Sequence, residues 1–373
     1  MIVVSILVFI TILGLLVIVH ELGHFVAARF FKVGVDEFGV GFPPRITGIK
    51  KGKTLYSLNW IPVGGFVKIK GVIGGDQMDT PVPAGDEKNK KSSDDFSSHP
   101  MWQRFIILFA GIFMNIVLAV FLFSVGFMIG MPSSISDLPS NATVTNPEVL
   151  VVEVQENGPA SHQGIKIGDA ITKVNDIEIN HSTDFTNSLL GLESGTSVDI
   201  EISRGNDEIF QYSVTPEILE ETDTLGVGVF LAETGIVRLP WYSAIWHGVI
   251  QTYEMIRMIL YAIINLVVGL FDGEASNVAI AGPLGIASLT HEATQLGIVY
   301  IIQFAALLSI NLAIFNLFPF PALDGGRILF LLFEFVLRKP INPKIEAVVH
   351  NLGFILLLTL LMVVTLKDLL DLF

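Results

Sequence analysis

The sequence predicts a polytopic α-helical membrane protein, with four transmembrane helices, a membrane-associated β-hairpin or sheet and one small β-rich domain outside the membrane. Three observations predict it. Apolar residues make up 51% of the 373-residue chain and mean hydropathy is +0.64, as in integral membrane proteins rather than soluble globules. Separate apolar segments at 1–31, 101–131, 296–326 and 345–367 are each long enough to cross a bilayer. The charges are also sorted by segment. Residues 32–100 hold ten Lys or Arg against eight Asp or Glu, whereas 131–240 hold eighteen acids and four bases, a balance of −14 that equals the formal charge of the whole chain. Basic loops stay in the cytoplasm and acidic ones do not resist export, which sets the direction of each crossing.

The first segment, MIVVSILVFITILGLLVIVHELGHFVAARFFK, carries the chemistry. Residues 2–19 are almost wholly apolar, and His20, Glu21 and His24 follow in the order H-E-x-x-H. Helical positions i and i+4 share a face, so His20 and His24 can hold one zinc ion. Glu21 then stands beside the metal's open position, where a general base acting on water is expected. A polar helix end at the membrane surface is the plainer reading, but ionisable groups at the edge of a lipid-crossing segment are costly and usually functional. The chain has no cysteine, so disulfides, thiolate metal sites and a cysteine nucleophile are excluded, and zinc must take histidine and carboxylate. The first basic residues, Arg29 and Lys32, come after the apolar run, so the N-terminus is expected outside and residue 32 in the cytoplasm.

The cytoplasmic loop 32–100 contains KTLYSLNWIPVGGFVKIKG (53–71), two strand-like runs around Gly64-Gly65 that predict a β-hairpin. Pro62 marks it as an edge element. Residues 72–100, rich in Gly, Asp, Lys, Ser and Pro, read as a flexible connector. The second span, 101–131, returns the chain to the outside and carries Asn115, four residues after Gly111, read as a helix-packing hydrogen bond. Strand-like runs VLVVEV and VDIEISRG then bracket turns at GPA (158–160) and IGD (167–169) and a short helix at DFTNSLLGL (184–192), a β-rich domain at 147–235.

Residues 241–271 are long and apolar, but Gln251, Glu254 and Arg257 interrupt them and aromatics cluster at one end, which predicts a helix lying in the membrane interface. The third span, 296–326, ends in NLFPFPALDGGR (316–327). The loop 327–344 holds Arg327, Arg338, Lys339 and Lys344 against Glu334, a cytoplasmic signature, and the fourth span, 345–367, returns the chain outside. His350, at the start of that span, reads as interfacial. If 241–271 does not cross, Asp324 emerges at the same face as His20 and His24. The chain then offers His, His and Asp to one metal and leaves a position for water. Pro319 and Pro321 are expected to break the helix just before Asp324, which is tolerated where backbone lines a wet, protein-enclosed cavity.

Together these motifs resemble the site-2 protease family of intramembrane zinc metalloproteases, most closely its regulator of sigma-E protease (RseP) type. HELGH (20–24) is similar to the family's HExxH, and NLFPFPALDG (316–325) to its NxxPxPxLDG. The resemblance implies zinc as cofactor, His20, His24 and Asp324 as its ligands, Glu21 as catalytic base and Asn316 as a substrate-binding residue. FGVGFPP (38–44) and the Gly64-Gly65 hairpin look like the family's membrane-associated sheet, which implies that Gly64, Gly65, Phe66 and Val67 hold substrate as an added strand. WQRFIILFAGIFMN (102–115) is similar to the start of the family's second span, with Gly111-Ile112 where the family usually has Gly-Pro. Residues 147–235 resemble a single PDZ domain, where the best-known members carry two, and AGPLGI (281–286) fits the segment that follows.

The expected function is therefore a zinc endopeptidase that cuts within or beside the transmembrane helix of another protein, an anti-sigma factor or a remnant signal peptide by the resemblance. Partners would be such substrates, an upstream site-1-type protease and the lipid bilayer, with no nucleic acid. The expected place is the bacterial inner membrane, with both termini and the PDZ-like domain outside and the active site near the cytoplasmic side. A catalytically inactive PDZ-bearing scaffold is the competing class, and an intact Glu21 and Asp324 count against it. A metal transporter would spread polar residues along several spans, whereas here they gather at one depth.

Overall fold

The computed structural model describes residues 2–72, 92–136, 138–155, 158–190, 195–205, 208–219, 224–272 and 282–371. They fall into two compact units, Met1–Gly126 with Ile245–Phe373, and Phe127–Ala244.

Helix α1 (Ile2–Phe30) is apolar until HELGH apart from Ser5 and Thr11. It ends where Lys32 turns left-handed (φ 63°) and the Val33 N–H donates to the Ala28 carbonyl at 2.9 Å. Strands β1 (Val35–Lys51) and β2 (Thr54–Ile69) follow. β1 bends so that its first part is flanked by β2 on both sides: Phe38 opposes both Val67 and Tyr56, and Val40 opposes both Gly65 and Leu58. Its later part, Arg45–Lys51, pairs with Thr54–Asn59. The result is a layer of four segments in the order 45–51, 54–59, 35–42, 65–69, with 65–69 at an edge.

The hairpin expected over 53–71 with its turn at Gly64-Gly65 does not form. The reversal lies at Gly52-Lys53, where Gly52 takes φ 65°, and Gly64-Gly65 is not the turn. Gly65 sits inside the sheet, where a Cβ would stand 2.8 Å from the Gly39 carbonyl oxygen. Glycine serves close strand approach there, not chain reversal. Pro62 lies at the bend between the two β2 segments. Of the connector expected at 72–100, residues 73–91 are outside the described residues; Asp94 just beyond them is tied to Lys70 at 2.8 Å. Helix α2 (Met101–Ile129) then leads to the second unit.

That unit contains β3 (Met131–Ser134), β4 (Thr143–Val154), α3 (Pro159–Gln163), β5 (Ala170–Val174), β6 (Ile177–Glu178), α4 (Ser182–Leu189), β7 (Val198–Arg204), β8 (Glu208–Val214), β9 (Glu217–Leu219), β10 (Thr224–Gly226) and β11 (Val229–Arg238). A mainly antiparallel sheet runs β3-β11-β4-β5-β7-β8, with β6 on β5. Alternate residues of its strands, among them Val149, Val151, Val198, Ile200 and Ile202, enclose a core with Phe185 of α4. The helix expected at 184–192 is α4; residues 191–192 are outside the described residues. Asp169, in the turn before β5, is almost fully buried and takes two bonds from Arg204, at 2.6 and 2.7 Å.

Helix α5 (Trp241–Asp272) is one continuous helix. Within the first unit its Gly248 lies against α2, where a Cβ would stand 2.9 Å from the Val120 carbonyl oxygen. Midway along, Glu254 and Arg257 pair with each other at 2.6 Å on an exposed face. Then come α6 (Pro283–Leu296), α7 (Ile298–Leu317), α8 (Asp324–Leu337) and α9 (Pro343–Asp371). The third span expected at 296–326 is thus three pieces: α7, an irregular stretch 318–323, and the first turn of α8. Pro319 and Pro321, which lack the N–H a helix needs, fall in the irregular stretch.

Among the described residues, five helices rather than the expected four are long and apolar enough to cross a membrane: Val3–Phe30, Met101–Ile129, Trp241–Gly269, Ile298–Leu317 and Lys344–Leu370. Helices α1 and α7 point the same way. Ser5, near the start of α1, bonds His291 of α6 at 2.8 Å just before α7 begins, and His20, near the end of α1, meets Asp324 just after α7 ends.

Candidate metal centre

The site is built on the last turns of α1. One helical turn separates His20 from His24, and their rings meet edge to face with centroids 4.8 Å apart. Asp324, the first residue of α8, brings Oδ2 to 2.9 Å from Nε2 of His20 and 3.2 Å from Nε2 of His24. One ligand atom from each of the three lies within 4.8 Å of the others, and all three side chains are largely buried.

Outer contacts aim both rings. The Nδ1–H of His24 donates to the Ile107 carbonyl of α2 at 2.8 Å, which leaves Nε2 as the lone-pair nitrogen. His20 Nδ1 meets the side-chain amide of Asn115 at 3.2 Å. Asn115 is wholly buried, and its backbone carbonyl accepts from Ser309 of α7 at 2.8 Å. The bond from α2 to α7 is made by the main chain at Asn115, and the side chain expected to pack helices contacts a candidate ligand instead. Its position four residues after Gly111 was the available signal, because both fall on one face of α2. Gly111 itself makes the cradle. A Cβ there would overlap Nε2 of His24 and stand 2.9 Å from Cε1 of His20. Two imidazole nitrogens and a carboxylate oxygen, converging where glycine leaves room for both rings, are a donor set that fits zinc.

Helix α8 can restart so close to the site because its second and third residues are glycines. A Cβ on Gly325 would overlap the Leu317 and Phe318 carbonyl oxygens, and one on Gly326 the Phe320 carbonyl oxygen. Glu21, half-buried, follows His20 directly on α1. Asn316 is half-buried in the last turn of α7, and among the described residues its side chain has no hydrogen-bond partner. The sheet comes to the same neighbourhood: Gly64 and Gly65 lie against Val17 and Ile18 of α1, one turn before His20. Gly64, Gly65 and Phe66 are buried and Val67 half-buried. His350, expected at the interface, is instead buried beside the stretch leading to Asp324, because its ring serves as a hydrogen-bond acceptor for backbone there.

The profile of peptidase family M50 matches residues 8–360. CPE1693 of Clostridium perfringens is 36% identical over 355 residues, 95% of either chain. The regulator of sigma-W protease RasP of Bacillus subtilis is 31% identical over 441 aligned positions, 99% of either chain, and the zinc metalloprotease RasP of Bacillus licheniformis is 30% identical with the same coverage. Among solved structures, the PDZ domain of the SdrC-like protein Lmo2051 from Listeria monocytogenes is 25% identical, over 24% of this chain and 92% of that one, with a TM-score of 0.22. A motif pair that meets in space and a family match over nearly the whole length agree: the chain belongs to peptidase family M50, the site-2 protease family, and is a zinc metalloprotease.

Proposed function

We propose that this protein is an intramembrane endopeptidase that cuts the transmembrane segments of other membrane proteins, with His20, His24 and Asp324 holding the zinc and Glu21 as general base. The observation that carries this reading is the convergence of three largely buried ligand side chains on a helix apolar and long enough to cross a membrane, a depth that suits a lipid-embedded substrate. When bound, zinc supplies Lewis acidity to a water and to the scissile carbonyl. Glu21 takes the proton of the attacking water and returns it to the leaving amine. The side-chain amide of Asn115 meets Nδ1 of His20 at 3.2 Å and holds the ring so that Nε2 faces the other two ligand atoms. Asn316, whose side chain has no hydrogen-bond partner among the described residues, contacts the substrate backbone. A helical substrate hides its peptide bonds, and pairing with the 65–69 edge, at Gly65, Phe66 and Val67, offsets the cost of unwinding it.

The topology proposed is four crossings, with α5 lying in the interface. The shared direction of α1 and α7 supports it, since an odd number of crossings must lie between them, which α2 alone supplies and α2 with α5 would not, and α6, at roughly 21 Å for its 14 residues, is too short to span. The exposed Glu254–Arg257 pair fits water or headgroups better than lipid. The second unit is read as a single PDZ-like module on the outer side, with both termini, where it restrains substrates with bulky outer domains. An anti-sigma factor or a remnant signal peptide, trimmed first by a site-1-type protease at the bacterial inner membrane, is the substrate proposed; the name of the Bacillus subtilis relative supports the former.

The test uses purified protein in detergent with a model transmembrane substrate. Wild-type protein is expected to hold one zinc and cleave. Glu21→Gln is expected to lose cleavage while zinc content stays near wild type, because Glu21 is a base and not a ligand. Comparable cleavage by Glu21→Gln would overturn the mechanism.

A further inference from the structure

We propose that His350 is a positioning residue, which holds the stretch before Asp324 in the backbone conformation that delivers the carboxylate to His20 and His24. The proposal rests on the ligand assignment above. Ala322, two residues before Asp324, takes φ 80°. That is the left-handed region, unfavourable for a residue with a Cβ, and it persists only where the surroundings hold it. One group visibly does so. The Ala322 N–H donates to Nδ1 of His350 at 2.9 Å, across from α9. An accepting Nδ1 carries no proton, so the ring proton sits on Nε2, which has no partner among the described residues. The one hydrogen bond of this buried ring is thus the one to the strained stretch.

A second contact comes from the same helix face. Gly353, three residues after His350, lets α9 press on the stretch: a Cβ there would stand 2.6 Å from the Pro321 carbonyl oxygen. Phe330 of α8 holds the other side of the imidazole, with ring centroids 5.6 Å apart. Helix α9 therefore grips residues 321 and 322 by backbone, while His20 and His24 are fixed by α2. Release of the acceptor lets Ala322 relax toward negative φ. The first turn of α8 then turns with it and carries Asp324 Oδ2 away from the two Nε2 atoms. Metal affinity is sensitive to such displacements, as outer partners of ligands typically matter by 10–100-fold.

The experiment measures zinc affinity of detergent-purified full-length variants by chelator competition, with the visible spectrum of the cobalt-substituted protein as second readout. His350→Leu is expected to weaken zinc binding by about tenfold or more and to shift the cobalt bands. Ala322→Gly in the His350→Leu background is expected to restore most of that loss, because glycine adopts φ near 80° without cost. A merely structural role for His350 predicts no such rescue. Should His350→Leu not fold, His350→Asn and His350→Gln replace it. Asn puts an oxygen where Nδ1 stands and is expected near wild type, and Gln puts one where Nε2 stands and is expected to be weaker. Wild-type affinity in His350→Leu, no rescue by Ala322→Gly, or equal affinities for Asn and Gln would each overturn the proposal. Wild-type protein that takes up no zinc would overturn the ligand assignment itself, and this proposal with it.

Discussion

Each unit of the molecule buries a carboxylate, and the two are treated differently. Asp169 in the β-rich unit is 1% exposed and meets the guanidinium of Arg204 by two short bonds, with the Lys166 N–H as a further donor at 2.7 Å. Arginine is permanently charged and its fork matches a carboxylate, so that pair is complete within the chain; Asp169 in turn pushes the Arg204 guanidinium further up from its already high value. Asp324 faces two imidazoles instead, each steered so that Nε2 points at it. Three sets of lone pairs directed at one point do not satisfy one another as a fork and a carboxylate do. They satisfy a divalent cation. A buried acid with a fixed cation is scaffold, and one among steered histidines is a candidate metal centre.

The largest expected effect breaks that comparison if it fails. Asp324→Ala should lose cleavage and weaken zinc binding by more than about 100-fold, beyond what outer partners of a metal site contribute, with the unfolding of the β-rich unit unchanged. Retention of tight zinc would mean that the two carboxylates do not differ in kind. Next, Arg204→Met should destabilise the β-rich unit by about 3–5 kcal/mol, because it leaves Asp169 buried without its partner. Denaturant-dependent proteolysis within 127–244 reads this out, and zinc content should not change.

Smaller effects sharpen the picture. Proline at Val67 or at Ile69 removes a backbone donor from the 65–69 edge segment. At least one of the two should slow cleavage with zinc intact, and unchanged turnover in both would remove strand addition from the mechanism. The smallest effect concerns Glu233 of β11. The Ser182 N–H and hydroxyl, both at 2.8 Å, hold its carboxyl below the usual glutamate range. A carboxyl depressed in the folded state stabilises above its unfolded value, near about 4.3, and that stability is lost as pH falls through its lower folded value. Thermal melts from pH 7 down to 3 should therefore show a slightly shallower acid loss in Glu233→Gln than in wild type. Identical slopes would discard this contribution.

The sequence by itself determined the metal chemistry. HExxH on a helix fixes which two side chains share a face, because helical geometry is local, and the sorting of basic and acidic loops predicts Asp324 at the same end, where the three side chains do meet. The absence of cysteine left only histidine and carboxylate as ligands. Only the tertiary structure decided what steers those ligands. Asn115 orients His20 because α2 packs on α1 in one particular rotation, and His350 grips Ala322 because α9 returns to a stretch 28 residues before it. The sheet was hidden for the same reason. Val35–Val40 pairs with two distant parts of β2, and the glycines that suggested a turn serve close approach of strands brought together from afar. Local periodicity specifies a residue's face. The partner it meets there depends on contacts distant in sequence, and those are settled only when the helices and strands pack.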